Sequence, residues 1–406
     1  MKSNHFWAAA SKAVAGVTLT LIITLMLASA AVAQSNYKVL HKFETETIYA
    51  GLTFDAAGNL YGTTFGNLFQ LTPNGDGTWK KRLLHSFTSG NDVSYLNGTL
   101  IFDAAGNLYG TTLSGGDLSC NAPHGCGTVF ELTPESDGSW TESVLHTFNW
   151  TDGAFPFAGV IFDAAGNLYS TTTEGGAYGL GTVFQLTPNG DGTWNHQVLH
   201  SFNNWDGNYP TGLIFDHAGN FYGTTVGGGS GGGCVSAGYF CGTVFQIMPN
   251  GDGTWTESVL HSFQNDGKDG QNPFAGLIFD SAGNLYGTTS GGGTYGDGTV
   301  FKLKRVNGGW KAIVLHAFDG KDGQNPTDSL IFDQAQTIYG TTSFGGAYDD
   351  GTVFKLKRVN GGWKETVLHS FRGKPSSHPW ASVIFDAAGN LYGTTGGGAT
   401  VYEITP

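Results

Sequence analysis

The chain has 406 residues, with 19 basic and 32 acidic side chains giving a net charge of −13, and it combines 65 glycines with a 13% share of aromatics. No basic, aromatic-laced stripe offsets the acidity, so the surface repels phosphate backbones and a nucleic-acid partner is excluded. Glycine at this level with few aromatics would signal disorder, whereas glycine with many regularly spaced aromatics signals a turn-rich β protein.

Residues 1–33 have the build of a signal peptide. Lys2 and Lys12 form a basic start, Val14 to Leu27 is apolar, and Ala31-Val32-Ala33 offers the small residues a signal peptidase accepts. An uncleaved anchor is the alternative, because the uncharged stretch 13–33 is long enough to span a bilayer. No later segment is apolar enough to cross a membrane. The expectation is therefore an exported monomer, extracellular or periplasmic and at most associated with the cell surface, with no membrane contact after cleavage. Without the two leader lysines, 17 basic residues face 32 acidic ones.

From residue 34 onward one block recurs: GLIFDAAGNLYGTT, a glycine-rich stretch, GTVFQLTPNGDGTW, and VLHSF. Its tyrosine falls at Tyr61, Tyr109, Tyr169, Tyr222, Tyr286, Tyr339 and Tyr392, seven copies at steps of 48 to 64 residues. A period near 50 without helical patterning points to propeller blades. Each block reads as four strands: LIFD and LYGTT around an AAGN turn, TVFQLT after the glycine-rich loop, and WTESVLHSF after PNGDGT. In the fourth strand Trp140, Val144, His146 and Phe148 share parity, which places them on one face.

The expected fold is thus all-β, a seven-bladed β-propeller of four-stranded antiparallel blades. The blades fall near 48–87, 97–148, 157–202, 211–263, 274–318, 328–371 and 381–406. The last block, SVIFDAAGNLYGTTGGGATVYEITP, has three strands only, and the segment YKVLHKF near residues 35–43 matches a fourth strand without a blade. Pairing the two closes the ring and removes an aggregation-prone edge. The match is incomplete, because no Trp stands six residues before His41.

The four cysteines form two local pairs, Cys120 with Cys126 and Cys234 with Cys241, each just before a GTVF segment. In an exported chain these read as two short-range disulfides that shape loops. Neither pair has the spacing of a zinc site, so no metal is expected from them.

The pattern GNLYGTT…GGxxGxGTVFxLTP…WxxxVLHSF…DGxxPxAGLIFD resembles the Gloeo/Verruco tandem repeat of exported bacterial proteins, the choice-of-anchor tandem repeat GloVer-containing group. The resemblance implies a cell-envelope or extracellular setting and carries no assigned activity. Members of the group continue into a sorting anchor, whereas this sequence stops at Pro406, so release or periplasmic residence is expected.

In such blades the AAGN and PNGDG turns lie on one face of the disc. The variable second-to-third loops and blade connections lie on the other, which is the expected functional face. There Trp150, Trp205, Tyr209 and Trp380 stand outside the repeat consensus, beside Asp152 and Asp206. Aromatic faces with short polar neighbours fit carbohydrate binding, and capping of the gaps between blades is the structural alternative. The Asp-Gly runs at Asp266 and Asp269 and at Asp319 and Asp322 raise Ca²⁺ as a cofactor, but turn chemistry accounts for them and none is assigned. The seven VLHxF histidines lie on outermost strands, far apart, and read as packing and hydrogen-bonding groups. No catalytic motif is present. The sequence is read as a binding scaffold for a glycan or envelope protein, with a propeller-type polysaccharide lyase or glycoside hydrolase as the alternative.

Overall fold

The computed structural model describes residues 36–44, 46–87, 95–230 and 241–406; the leader 1–33 and Cys234 lie outside the described residues. Seven four-stranded antiparallel sheets follow one another, and no helix occurs among the described residues. The third blade is typical: Ile161–Phe162, Leu168–Thr172, Thr182–Pro188 and Trp194–Ser201 pair in sequence order. The molecule is a seven-bladed β-propeller.

Each residue of the LYGTT strand does separate work. The tyrosine hydroxyl donates to the aspartate of the preceding turn, as Tyr61 does to Asp55 at 3.0 Å, while Asp55 also accepts the amides of Ala57 and Asn59. Its ring meets a phenylalanine of the next blade edge-on, Tyr61 against Phe102 at 5.0 Å. The glycine gives room to the third strand's phenylalanine; a Cβ on Gly110 would lie 2.6 Å from the Phe130 ring. The first threonine crosses to the next blade. Thr111 donates to the Ala158 carbonyl at 3.0 Å and Thr224 to that of Ala275 at 2.8 Å. The second threonine pairs within its own blade, as Thr172 and Thr182 do at 2.8 Å.

Apolar contacts concentrate between blades, in seven wedges. One joins Val129 and Phe148 to Leu168, Phe184 and Leu186, and the other six repeat the arrangement around the ring. Six wedges are edged by the tryptophan that opens an outer strand: Trp79, Trp140, Trp194, Trp255, Trp310 and Trp363. The seventh has Tyr37 instead, four residues before His41 and packed on His369 and Phe371.

Asn36–Lys42 is the outer strand of the last blade, antiparallel to Thr400–Thr405 from Asn36 opposite Thr405 to Lys42 opposite Thr400. Tyr37 stacks on His369 of the preceding blade at 4.0 Å and donates to Ser376 Oγ at 2.6 Å. Phe43 packs on Phe69 of the first blade. Thr394 reaches the Ala50 carbonyl at 3.1 Å and Tyr392 meets Phe54, so the ring is closed at its centre as well as its rim.

One expectation is corrected. Trp140 and Phe148 do not share a face, because the register slips between Val144, opposite Phe130, and His146, opposite Val129. This bulge turns the strand over. Trp140 therefore packs toward Tyr61 of the preceding blade, whereas His146 and Phe148 meet His196 and Phe184 of the following one. Val144, at the bulge, is 50% exposed. The same slip recurs in the outer strand of every blade.

Two outcomes follow. Deleting Asn36–Lys42 exposes the Thr400–Thr405 edge and two half-built wedges, so the truncated chain should aggregate or melt well below the full one in scanning calorimetry. Gly159→Ala would place a Cβ 2.2 Å from the Thr99 carbonyl oxygen where adjacent first strands approach. Its cost should be about 1–3 kcal/mol in denaturant unfolding, the usual scale for overpacking.

Candidate functional site

The segments leading into the seven first strands surround the axis and line a central cavity of about 760 Å³ that opens on the loop face. Its wall is built from small residues such as Gly98, Ala158, Gly212 and Gly276, which let neighbouring strands come close, backed by Ile101, Ile161 and Ile214. The residue that precedes the Ala-Gly-Leu entry to the first strand lines the mouth in six blades and is aromatic in four: Tyr49, Phe157, Phe274 and Trp380. Phe65, from a second-to-third loop, and Tyr95 join them, ring against ring edge-on at 4.1 Å. Trp380 is half-buried, and the other five are 39–46% exposed, so a ring of partly open aromatic surface surrounds the entrance.

One carboxylate lies in this wall. Asp328 occupies the position held by Ala50, Ala158, Ala275 and Ala381 in other blades. Its oxygens accept the Ser329 amide and the Ser382 amide of the next blade, both at 2.6 Å. The group sits deep among protein atoms while part of its surface faces the cavity. Desolvation pushes its pKa up to about 6, outweighing the two amide hydrogen bonds and the Ser329 hydroxyl that pull it down.

A second set of polar contacts lies at the wedges' outer ends. His146, His200, His261 and His316 approach Asp152, Asp206, Asp269 and Asp322 of the following connections at 2.8–3.2 Å. His85 instead approaches Glu142 of the next blade at 3.0 Å, close enough for ionic attraction but without hydrogen-bond geometry. The fourth residue before each VLHxF histidine faces the preceding blade's pair. His196 there stacks on His146 at 4.1 Å, and burial lowers its pKa to about 4. Burial likewise holds His369 near 4 under the Tyr37 ring. At the same position Glu257 and Glu365 are raised to about 8, first by desolvation and then by the charges of Asp206 and of Asp322 and Asp319.

The six residues singled out in the sequence do not converge. Only Trp380 lines the cavity. Asp152 and Asp206 are engaged by His146 and His200 at the wedges. Trp150 lies over the next blade's loop, its carbonyl accepting the Gly176 amide at 2.8 Å, and Trp205 is 75% exposed. Tyr209 is 41% exposed, and its amide donates to the Leu180 carbonyl. Asp269 and Asp322 are taken up by histidines, and Asp266 and Asp319 accept amides of their own turns. Cys120 and Cys126 form a disulfide, and Cys241 is disulfide-bonded. The other five mouth aromatics and Asp328 escaped the sequence reading, which looked to aromatics outside the repeat consensus. The available signal was the pair of columns before GLIF, where aromatics alternate with Asn97, Pro210 and Thr327 and one carboxylate, Asp328, stands where four blades have Ala.

Propellers of this build recur among solved structures. Virginiamycin B lyase from Staphylococcus aureus superposes with a TM-score of 0.56 at 11% identity, over 92% of this chain and 99% of that one. The extracellular domain of a putative one-component system from B. thetaiotaomicron gives 0.57 at 10% identity, over 90% of this chain and 39% of that one. PorZ, a surface component of the type-IX secretion system of Porphyromonas gingivalis, gives 0.52 at 14%, over 90% and 47%. These likenesses define a shared propeller fold. The Gloeobacter/Verrucomicrobia repeat model matches residues 118–239 and 233–406, and the chain belongs to that family. No curated protein matches it in sequence.

Glu257 and Glu365 set a pH dependence. A raised carboxyl keeps its proton in the folded chain after the unfolded chain has lost it, so its stabilising effect is complete below the ordinary value of 4.5 and is lost as pH rises toward 8. His196 and His369 act in the opposite sense, below their ordinary 6.5. Between pH 6.5 and 8 the melting temperature should therefore fall, and the Glu257→Gln, Glu365→Gln double variant should flatten that slope in a calorimetric pH series.

Proposed function

We propose that the protein is an exported binding scaffold whose central cavity on the loop face receives a glycan, free or carried by an envelope protein. The ring of six aromatics around the cavity carries this reading. Flat apolar faces stack on the C–H surfaces of sugars, while Asn97, Asn325 and Asp328 in the lining offer hydrogen-bonding groups. The disulfide and the extracellular propeller among its structural relatives are compatible with an exported protein. The scaffold would act as a monomer without a cofactor, in the cell envelope or outside the cell.

The alternative is a polysaccharide lyase or glycoside hydrolase. A two-carboxylate hydrolytic mechanism needs a second acid facing the first. Among the described residues lining the cavity, Asp328 is the only Asp or Glu, which favours binding over hydrolysis.

A glycan array probed with the mature protein tests the reading. The Phe157→Ala, Trp380→Ala double variant should bind its glycan at least tenfold more weakly, about 1.4 kcal/mol, with an unchanged circular dichroism spectrum. Equal binding by that variant, with loss in Trp150→Ala, Trp205→Ala instead, would move the site to the outer rim. Turnover of any polysaccharide would overturn the non-enzymatic reading.

A further inference from the structure

The cavity's single carboxylate narrows the chemistry of what can enter, an inference that rests on reading the cavity as the ligand site. Three observations bear on Asp328. It departs from the repeat, since equivalent positions in four other blades are alanine and those blades close the ring without a carboxylate. No Lys, Arg or His lines the cavity among the described residues, so its charge has no cationic partner there; the only other titratable groups in the lining are the hydroxyls of Tyr49 and Tyr95. Each of its oxygens accepts one amide and the Ser329 hydroxyl adds a third donor, while a carboxylate offers about four acceptor sites, which leaves capacity for a donor from the cavity side.

The rim favours the same kind of ligand. Aromatic faces attract cations through the ring quadrupole, most strongly where water is displaced. An anion entering would meet π faces and then a carboxylate, and a neutral ligand would offer the carboxylate hydrogen bonds but no opposite charge. A cation satisfies both. The chain's net charge of −13 would also draw cations toward it.

We propose that the central cavity selects ligands bearing an ammonium group, seated against the Asp328 carboxylate behind the aromatic rim. Among glycans this means sugars with free amino groups rather than their N-acetylated counterparts. Because burial raises Asp328 to about 6, its charge is present above that pH and is lost as pH falls through it. Selectivity for the cation should follow the same course.

Two matched pairs of probes test this by titration calorimetry on the mature chain at pH 7.5: tetramers of glucosamine and of N-acetylglucosamine, and choline with its uncharged isostere 3,3-dimethylbutan-1-ol. The ammonium member of at least one pair should bind at least tenfold more tightly than its neutral partner. That preference should shrink at pH 5 and vanish in Asp328→Ala, which restores the residue of the other blades and should keep the fold; Asp328→Asn provides a second variant of similar size. Equal affinity within both pairs, no binding by either ammonium compound, or a preference that survives both substitutions would each overturn the proposal. A chain that binds both tetramers equally and shows no preference within the choline pair keeps the glycan reading and loses this one. A chain that binds choline and no oligosaccharide does the reverse.

Discussion

Seven threonines hold the centre of this molecule together. Thr63, Thr111, Thr171, Thr224, Thr288, Thr341 and Thr394 each pass a hydrogen bond from the second strand of one blade to a backbone carbonyl of the next blade, beside its first strand. The acceptors include Ala158, Thr211 and Asp328, which form the cavity wall. Six of the seven first strands have two residues and offer little pairing of their own within a blade. Their placement around the axis depends on these crossing bonds and on the glycines that let the strands approach. The cavity is thus a product of blade-to-blade contact and does not exist within any one blade.

The same dependence governs the apolar core. A blade here has two buried faces and needs two neighbours, so each wedge is complete only when the next blade has docked. Leu40 and Phe43 complete the wedge against the first blade and Tyr37 the wedge against the sixth, so one short strand contributes to two of the seven wedges. Among the described four-stranded blades, this strand is the one that joins its sheet from the other end of the chain.

Much of this architecture was legible in the sequence because the repeat writes each blade out in full. The tyrosine column counted the blades, and the surplus VLHKF strand showed how the ring closes. Two things were hidden. Strand parity did not reveal the bulge at Val144, since a one-residue slip leaves the pattern of residue types unchanged while exchanging the faces they occupy. The mouth of the cavity was hidden because Tyr49, Phe157 and Phe274 lie in connecting segments, where their direction is set only by closure around the axis. Unusual aromatics at Trp150 and Trp205 drew attention outward, while the cavity uses positions inside the consensus.

The outer ends of the wedges give nearly identical blades an identity. Facing each preceding histidine, successive outer strands present Lys81, Glu142, His196, Glu257, Ala312, Glu365 and Tyr37. Lys81 meets Glu46 at 3.2 Å, His196 meets an imidazole face, and Tyr37 stacks on the neutral His369. Blades five and six share the run FKLKRVNGGWK, yet differ here as Ala312 and Glu365. A blade docked beside the wrong neighbour would bury Lys81 away from its carboxylate or leave the Tyr37 ring without its stacking partner. In a chain of repeats, where misassembly of like with like is the characteristic hazard of folding, the differing residues at these seats give true neighbours contacts that a mismatched pair would lack.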